Sequence, residues 1–184
     1  MFSVLIDDSI DMYLVVDCRR GTEREHSVMK NKYFPDEEIT EDDLYFVCYM
    51  IERVTRHLKQ RNRYVVNTIG REGLLHLLSC ANVLHCENPL KVEDDWIRDY
   101  HLVEGNFDIT AVDPELARII PDALDMGAVY QRLIRDTMST REDYVDGILR
   151  VYNNPICEKI DDYNCSAFYE PSYVVARAYQ NGGF

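Results

Sequence analysis

His76, Cys80, His85 and Cys86 are the chain's densest set of metal-binding or nucleophilic side chains. His76 and Cys80 stand four residues apart, so a helix places them on one face. A turn after that helix would bring His85 or Cys86 back toward them, gathering nitrogen and sulfur ligands of the kind that hold zinc. No Cys-x-x-Cys knuckle accompanies them, and buried thiols with a histidine at a helix end account for the same residues. A cysteine nucleophile needs a neighbouring base to lower its thiol pKa, but His85 and Cys86 are adjacent and point apart. Cys165 with His101 is a pair that the sequence neither supports nor excludes. The carboxylate pairs Asp94-Asp95 and Asp161-Asp162 diverge for the same reason, which leaves general acid–base work without a specific signal. No Gly-Lys-Ser/Thr or Gly-x-Gly-x-x-Gly string is present. The sequence therefore implies no cofactor and favours a binding module over an enzyme, with the His76, Cys80, His85 and Cys86 cluster as the alternative.

A second concentration of functional side chains lies toward the C-terminus. Residues 161–173 hold Asp161, Asp162, Tyr163, Tyr169 and Tyr173, with Phe168 and Pro171 between them. Tyrosine suits surfaces that are wet on one side and apolar on the other, as interface anchors are. These five residues are the expected partner surface. The competing expectation is a tyrosine-rich flap that closes a helical core and satisfies its own hydroxyls.

Thirty-three Asp and Glu against twenty Lys and Arg leave a formal charge of −13, which repels phosphate backbones and attracts a basic protein partner. The basic cluster Arg53, Arg56, His57, Lys59, Arg61 and Arg63 runs off the end of a helix, where cations offset the helix dipole on a solvated face. Nucleic acid is not an expected partner. Six cysteines in an acidic chain whose first residues carry no positive segment read as reduced thiols in the cytoplasm. No apolar run approaches the roughly 20 residues that a bilayer requires, so no membrane role is expected.

The elements that would position these residues are mainly helical. Thr40 with Asp43 forms a capping box, and Leu44, Val47, Cys48, Ile51, Val54, Thr55 and Leu58 make one buried helical stripe that ends near residues 60–62. Short helical runs follow over 64–69 and 71–83, separated by Gly70, and Pro89 opens a helix through Trp96, which reads as a core anchor. Asp113-Pro114-Glu115 has the composition of another helix start, cut short by Pro121. Met126 to Met138 keeps helical spacing, and Ser139 with Glu142 forms a second capping box for a helix carrying Tyr144, Ile148 and Val151. Pro155 opens one or two turns through Tyr163, and 171–179 holds a last helix. Before all of these, the apolar runs at 2–6 and 12–16 flank Asp7-Asp8-Ser9 and predict a strand pair, with a short helix capped by Ser9 as the other solution for the second run. Residues 19–39 read as a polar connection. The expected protein is mainly α, a single-domain multi-helix bundle with a short N-terminal β-hairpin: residues 1–39 form hairpin and connection, and 40–184 one helical unit.

Within this frame residues 43–100 resemble a small helical domain of unknown function found in bacteria. The residues that carry the resemblance are Leu44-Tyr45-Phe46-Val47-Cys48-Tyr49-Met50-Ile51-Glu52, Gly73-Leu74-Leu75, Val83-Leu84-His85 and Val92-Glu93-Asp94-Asp95. Such domains look like accessory proteins encoded near other small domains, some similar to ADP-ribosyltransferases. The resemblance therefore implies a helical fold and an antitoxin-like or regulatory binding role, and it brings no catalytic residues.

Overall fold

Helix α1 (Glu41–Leu58) is set by its first three residues and its neighbour. The Thr40 hydroxyl accepts the Asp43 N–H at 3.4 Å while the Asp43 carboxylate accepts the Thr40 N–H at 2.7 Å, and Glu41, Asp42 and Asp43 face the positive end of the helix dipole. The stripe Leu44, Val47, Cys48, Ile51, Val54, Thr55 and Leu58 is buried along its whole length. The helix stops at Lys59, which takes a left-handed conformation at φ 48°. This computed structural model describes residues 29–117 and 119–184, so the strand pair expected within residues 2–18 lies outside the described residues.

Around α1 the described chain is a helical bundle. Helix α2 (Asn62–Leu84) breaks at Gly70, whose φ of 68° is open to glycine at no steric cost, so the two helical runs expected on either side of Gly70 meet at a kink. Helix α3 (Pro89–Asp99) begins with Pro89 after an Asn88 cap and buries Trp96. Helices α4 (Ala123–Thr137), α5 (Tyr144–Tyr152), α6 (Cys157–Ile160) and α7 (Ser172–Asn181) complete the set, with one 3-10 turn at Ala167–Tyr169. Helix α1 packs against α2, α3 and α4; α5 covers α2 and α4; α7 closes over α4. At the centre Tyr130 of α4 stacks on Tyr152 of α5 with ring centroids 4.2 Å apart. No helix among the described residues is long and apolar enough to cross a membrane.

Three sequence expectations are corrected here. Residues 19–39 hold more than a connection: β1 (Met29–Lys30) pairs antiparallel with β2 (Glu38–Ile39), and buried Asn31 ties the hairpin to α2 through the Ser79 carbonyl at 2.9 Å. The run from Asp113 makes only an isolated turn, closed by Ala117 N–H on Asp113 O at 2.9 Å. Leu116, Ile119 and Ile120 are all exposed there, so no buried apolar face offsets the cost of nucleating a helix before Pro121. The box expected at Ser139 is half made, with Glu142 accepting the Ser139 N–H at 3.1 Å, and the cap of α5 is Asp143, which accepts from Asp146 N.

The α1–α4 contact depends on Gly127. A Cβ there would lie 2.9 Å from the N and Cα of Tyr49, backbone atoms that cannot yield without moving α1. Gly127→Ala is expected to destabilise the fold by about 2 kcal/mol through overpacking. Urea unfolding measures it, with Gly183→Ala, where an added Cβ meets nothing within 4 Å, as the neutral control.

Candidate functional site

The buried stripe of α1 carries one carboxylate, Glu52, which is only 1% exposed. Burial of an ionised carboxylate is costly unless every oxygen is bonded. Here Oε1 accepts from Arg56 Nε at 2.7 Å and from the Tyr163 hydroxyl at 2.5 Å, while Oε2 accepts from Asn62 Nδ2 at 3.0 Å. Asn62 opens α2, and its amide also donates to Asp161 Oδ1 at 3.1 Å; the Tyr130 hydroxyl of α4 donates to that same oxygen. Arg56 reaches onward to the Pro121 carbonyl at 2.8 Å and to Tyr163 at 3.3 Å. One polar centre thus joins α1, the start of α2, the segment before α4, α4 itself and the residues that follow α6.

The electrostatics follow from that enclosure. Burial, and then the charge of Glu52, push the Asp161 carboxyl up to about 8, against the opposing bonds from Tyr130 and Asn62. Burial and Glu52 likewise hold the Tyr163 hydroxyl far above the ordinary phenol range. Cys48 and Cys157 flank the centre as protonated thiols, Cys48 pushed up to about 12 by burial, and behave as small apolar groups. Glu52, Asn62, Tyr130 and Tyr163 are each 2% exposed or less, so no substrate reaches them. The centre is a structural junction.

The metal-like cluster is not assembled. His76 and Cys80 do share a face of α2, with Nε2 and Sγ 3.7 Å apart. His85, however, caps α2 with its ring edge-on to Phe46 at 6.2 Å, and Cys86 is exposed beyond it. Five residues of helix turn a side chain by roughly 140° from its starting direction, which carries position 85 away from position 80. Among the described residues no group of three or more His, Cys, Asp or Glu is placed to hold a metal ion. Burial, and then Glu37, push the Cys80 thiol up, opposite to the activation a nucleophile needs. Cys165 donates to the Lys159 carbonyl at 3.2 Å.

The basic cluster is dispersed by pairing. Arg53 and His57 both bond Glu93, Arg63 pairs with Glu158, Lys59 approaches Glu104, and Arg61 lies over the Phe107 ring at 3.9 Å. Arg56 turns inward to Glu52, which corrects its placement on a solvated face.

The C-terminal block divides. Tyr163 belongs to the interior junction, a correction to its expected place on a partner surface, its hydroxyl donating to Glu52; Asp161 is half-buried at the junction's edge, with Oδ1 accepting from Asn62 and Tyr130. Asp162 folds back on Asn164, accepting its N–H at 3.2 Å and its amide at 3.0 Å. Tyr169 and Tyr173 are 60% and 63% exposed. Tyr169 shares a cleft with Leu116 and Ile119, which are exposed apolar side chains. Two clefts share Phe168 and Tyr169. One, of about 490 Å³, runs between α4 and the start of α7 past Pro121, Arg132 and Val175; the other, of about 310 Å³, is bounded by Leu116, Ala117 and Ile119.

Glu52→Ala strands Arg56, Asn62 and Tyr163 together and is expected to destabilise the fold by roughly 3–5 kcal/mol in urea unfolding, with Glu52→Gln less severe because the side-chain shape is kept. The Asp161 contribution has a defined pH sign. Its carboxyl rises from 3.8 to about 8 on folding, so the stability it confers is fully present below about pH 4 and is lost as pH rises through about 8. Unfolding free energies measured across that range should fall with pH in the native chain, and Asp161→Asn should remove that part of the slope. Comparison with protein-family models, with curated proteins and with solved structures finds no match to this chain.

Proposed function

We propose that this chain is a protein-binding module whose partner lies across the two clefts that meet at Tyr169. The observation that carries the assignment is the exposed apolar cleft of Leu116, Ile119 and Tyr169. Large exposed apolar patches of this kind on soluble domains mark binding surfaces, and a tyrosine between two grooves is suited to anchor one. The acidic rim argues for the partner's chemistry. Asp113, Glu115, Asp122, Asp125 and Glu170 are exposed around the face, against Arg132 and Arg177 as exposed cations, with Arg177 over the Tyr173 ring; Arg135 is already joined to Glu41. With −13 overall, the surface fits a basic amphipathic segment whose apolar side chains enter the clefts. The resemblance of residues 43–100 is what supports a regulatory, antitoxin-like setting in the bacterial cytoplasm for such a module.

The interior supports binding over catalysis. Of the residue types best suited to acid–base work, Glu52, Tyr130 and Tyr163 are buried, and half-buried Asp161 is bonded to Tyr130 and Asn62.

A synthetic amphipathic peptide of leucine and lysine, titrated by calorimetry, tests the assignment, with its leucine and glutamate counterpart as control. The expected result is binding of the basic peptide alone, weakened about tenfold, or about 1.4 kcal/mol, by Tyr169→Asp or Ile119→Asp. Val83→Asp, at an exposed apolar position near the end of α2, should change nothing. Equal weakening by Val83→Asp, or equal binding of the acidic peptide, would overturn it.

A further inference from the structure

Asp161 is more than one more member of the junction, because of where it stands. It ends α6, its own N–H bonded to the Cys157 carbonyl at 2.8 Å, and leads directly into Tyr163, the turn at Ala167–Tyr169 and the Tyr169 face. The bonds of its carboxylate to Asn62 and Tyr130 hold that segment on the bundle together with the bond of Tyr163 to Glu52.

The hydrogen-bond pattern is asymmetric. Both oxygens of Glu52 have donors, from Arg56, Tyr163 and Asn62. Asp161 accepts at Oδ1 alone, from Tyr130 and Asn62. Asn62 spends its N–H groups on the two carboxylates, while its own Oδ1, buried in a residue 1% exposed, has no partner. Glu52 and Asp161 thus share one amide, Asn62 Nδ2 donating to Glu52 Oε2 at 3.0 Å and to Asp161 Oδ1 at 3.1 Å.

The charges facing Asp161 come from every element packed on it. Helix α1 presents Glu52 and Arg56, α2 presents Asn62 with Arg61 before it, α4 presents Tyr130, α5 presents Tyr152, and α6 presents Cys157. Arg56 is the guanidinium bonded within the centre, and Glu52 and Tyr163 occupy it; Arg61 lies over Phe107. A second ionised carboxylate would face Glu52 across a single amide with no further guanidinium bonded to it.

We propose that Asp161 is a proton-operated latch: carrying its proton it seats residues 157–169 on α1, α2 and α4, and on losing it that segment loosens and disrupts the Tyr169 face. The latch stands on the junction's geometry, and its regulatory consequence rests on the assignment of that face to a partner. Burial and the Glu52 charge set the transition in the mildly alkaline range. Binding would then be favoured at lower pH and released as pH rises.

Hydrogen exchange of the full chain on either side of about pH 8, corrected for intrinsic rates, reads the latch directly. Expected is a protection loss of roughly tenfold or more confined to residues 157–169, with α1 and α4 keeping theirs, and no such loss in Asp161→Asn. An identical pH response in Asp161→Asn, or loss spread evenly over every helix, would overturn it. Should that variant fail to fold, the carboxyl carbon shift of Asp161 in the native chain decides: a proton retained at neutral pH supports the latch, and an ionised group at pH of about 6 refutes it. Repeating the basic-peptide titration at both pH values separates the two claims. Binding that weakens with pH in the native chain and not in Asp161→Asn supports the regulatory consequence. Segmental loss of protection with no peptide binding at either pH would overturn that consequence, and the partner assignment with it, while leaving the latch.

Discussion

A buried carboxylate must be answered from all sides, and Glu52 is the constraint on which the rest of this structure depends. It stands on the buried stripe of α1, 1% exposed among side chains that are apolar except for Thr55, where an unpaired charge would be prohibitive. Arg56, one turn on, is its local i,i+4 partner, but the others come from positions that no local rule links: Asn62 at the start of α2 and Tyr163 beyond α6. Satisfying Glu52 therefore fixes where α2 begins, how the chain returns after α6, and how α4 is met through Tyr130 and Asp161. Apolar packing supplies most of the driving force, but it is non-directional; the junction contributes register.

That same constraint shapes what is left for function. The side chains with the strongest chemistry are bonded inward, and the thiols nearest them are raised by burial, so the interior offers stability and a titratable lock instead of a reaction centre. The surface carries what remains: an acidic exterior, paired cations along the end of α1, and one apolar cleft where Leu116 and Ile119 meet Tyr169. The residues that close the junction, Tyr163 and Asp161, lie only a few positions from those that shape the face. Interior protonation and exterior shape are thereby carried on one short stretch of chain.

Much of the framework was legible because it is local. The Thr40–Asp43 box, the glycine break at Gly70 and Pro89 at the start of α3 each act within a turn or two of themselves, and each stands where its chemistry requires. Trp96 is buried, as expected for a core anchor. A local signal misled where the tertiary partner was missing: Asp113-Pro114 has the composition of a helix start but no core surface beside it, and Leu116, Ile119 and Ile120 are exposed. The junction was illegible for the opposite reason. Glu52 and Tyr163 are 111 residues apart, and Asn62 and Asp161 are 99 apart, separations at which a single sequence carries no pairing signal. Asp161 and Tyr163 drew notice as surface groups because acidic and phenolic side chains usually are. Only the buried Glu52 opposite them reverses that.

A double-mutant cycle on Glu52→Gln and Tyr163→Phe, read by urea unfolding, tests the junction most directly. The hydroxyl and carboxylate meet at 2.5 Å in a buried setting, so the two losses should overlap and the double variant should fall short of additivity by at least about 1 kcal/mol. Strict additivity would show that Tyr163 and Glu52 stabilise the fold independently, and would contradict the claim that a single polar centre binds the C-terminal segment to α1.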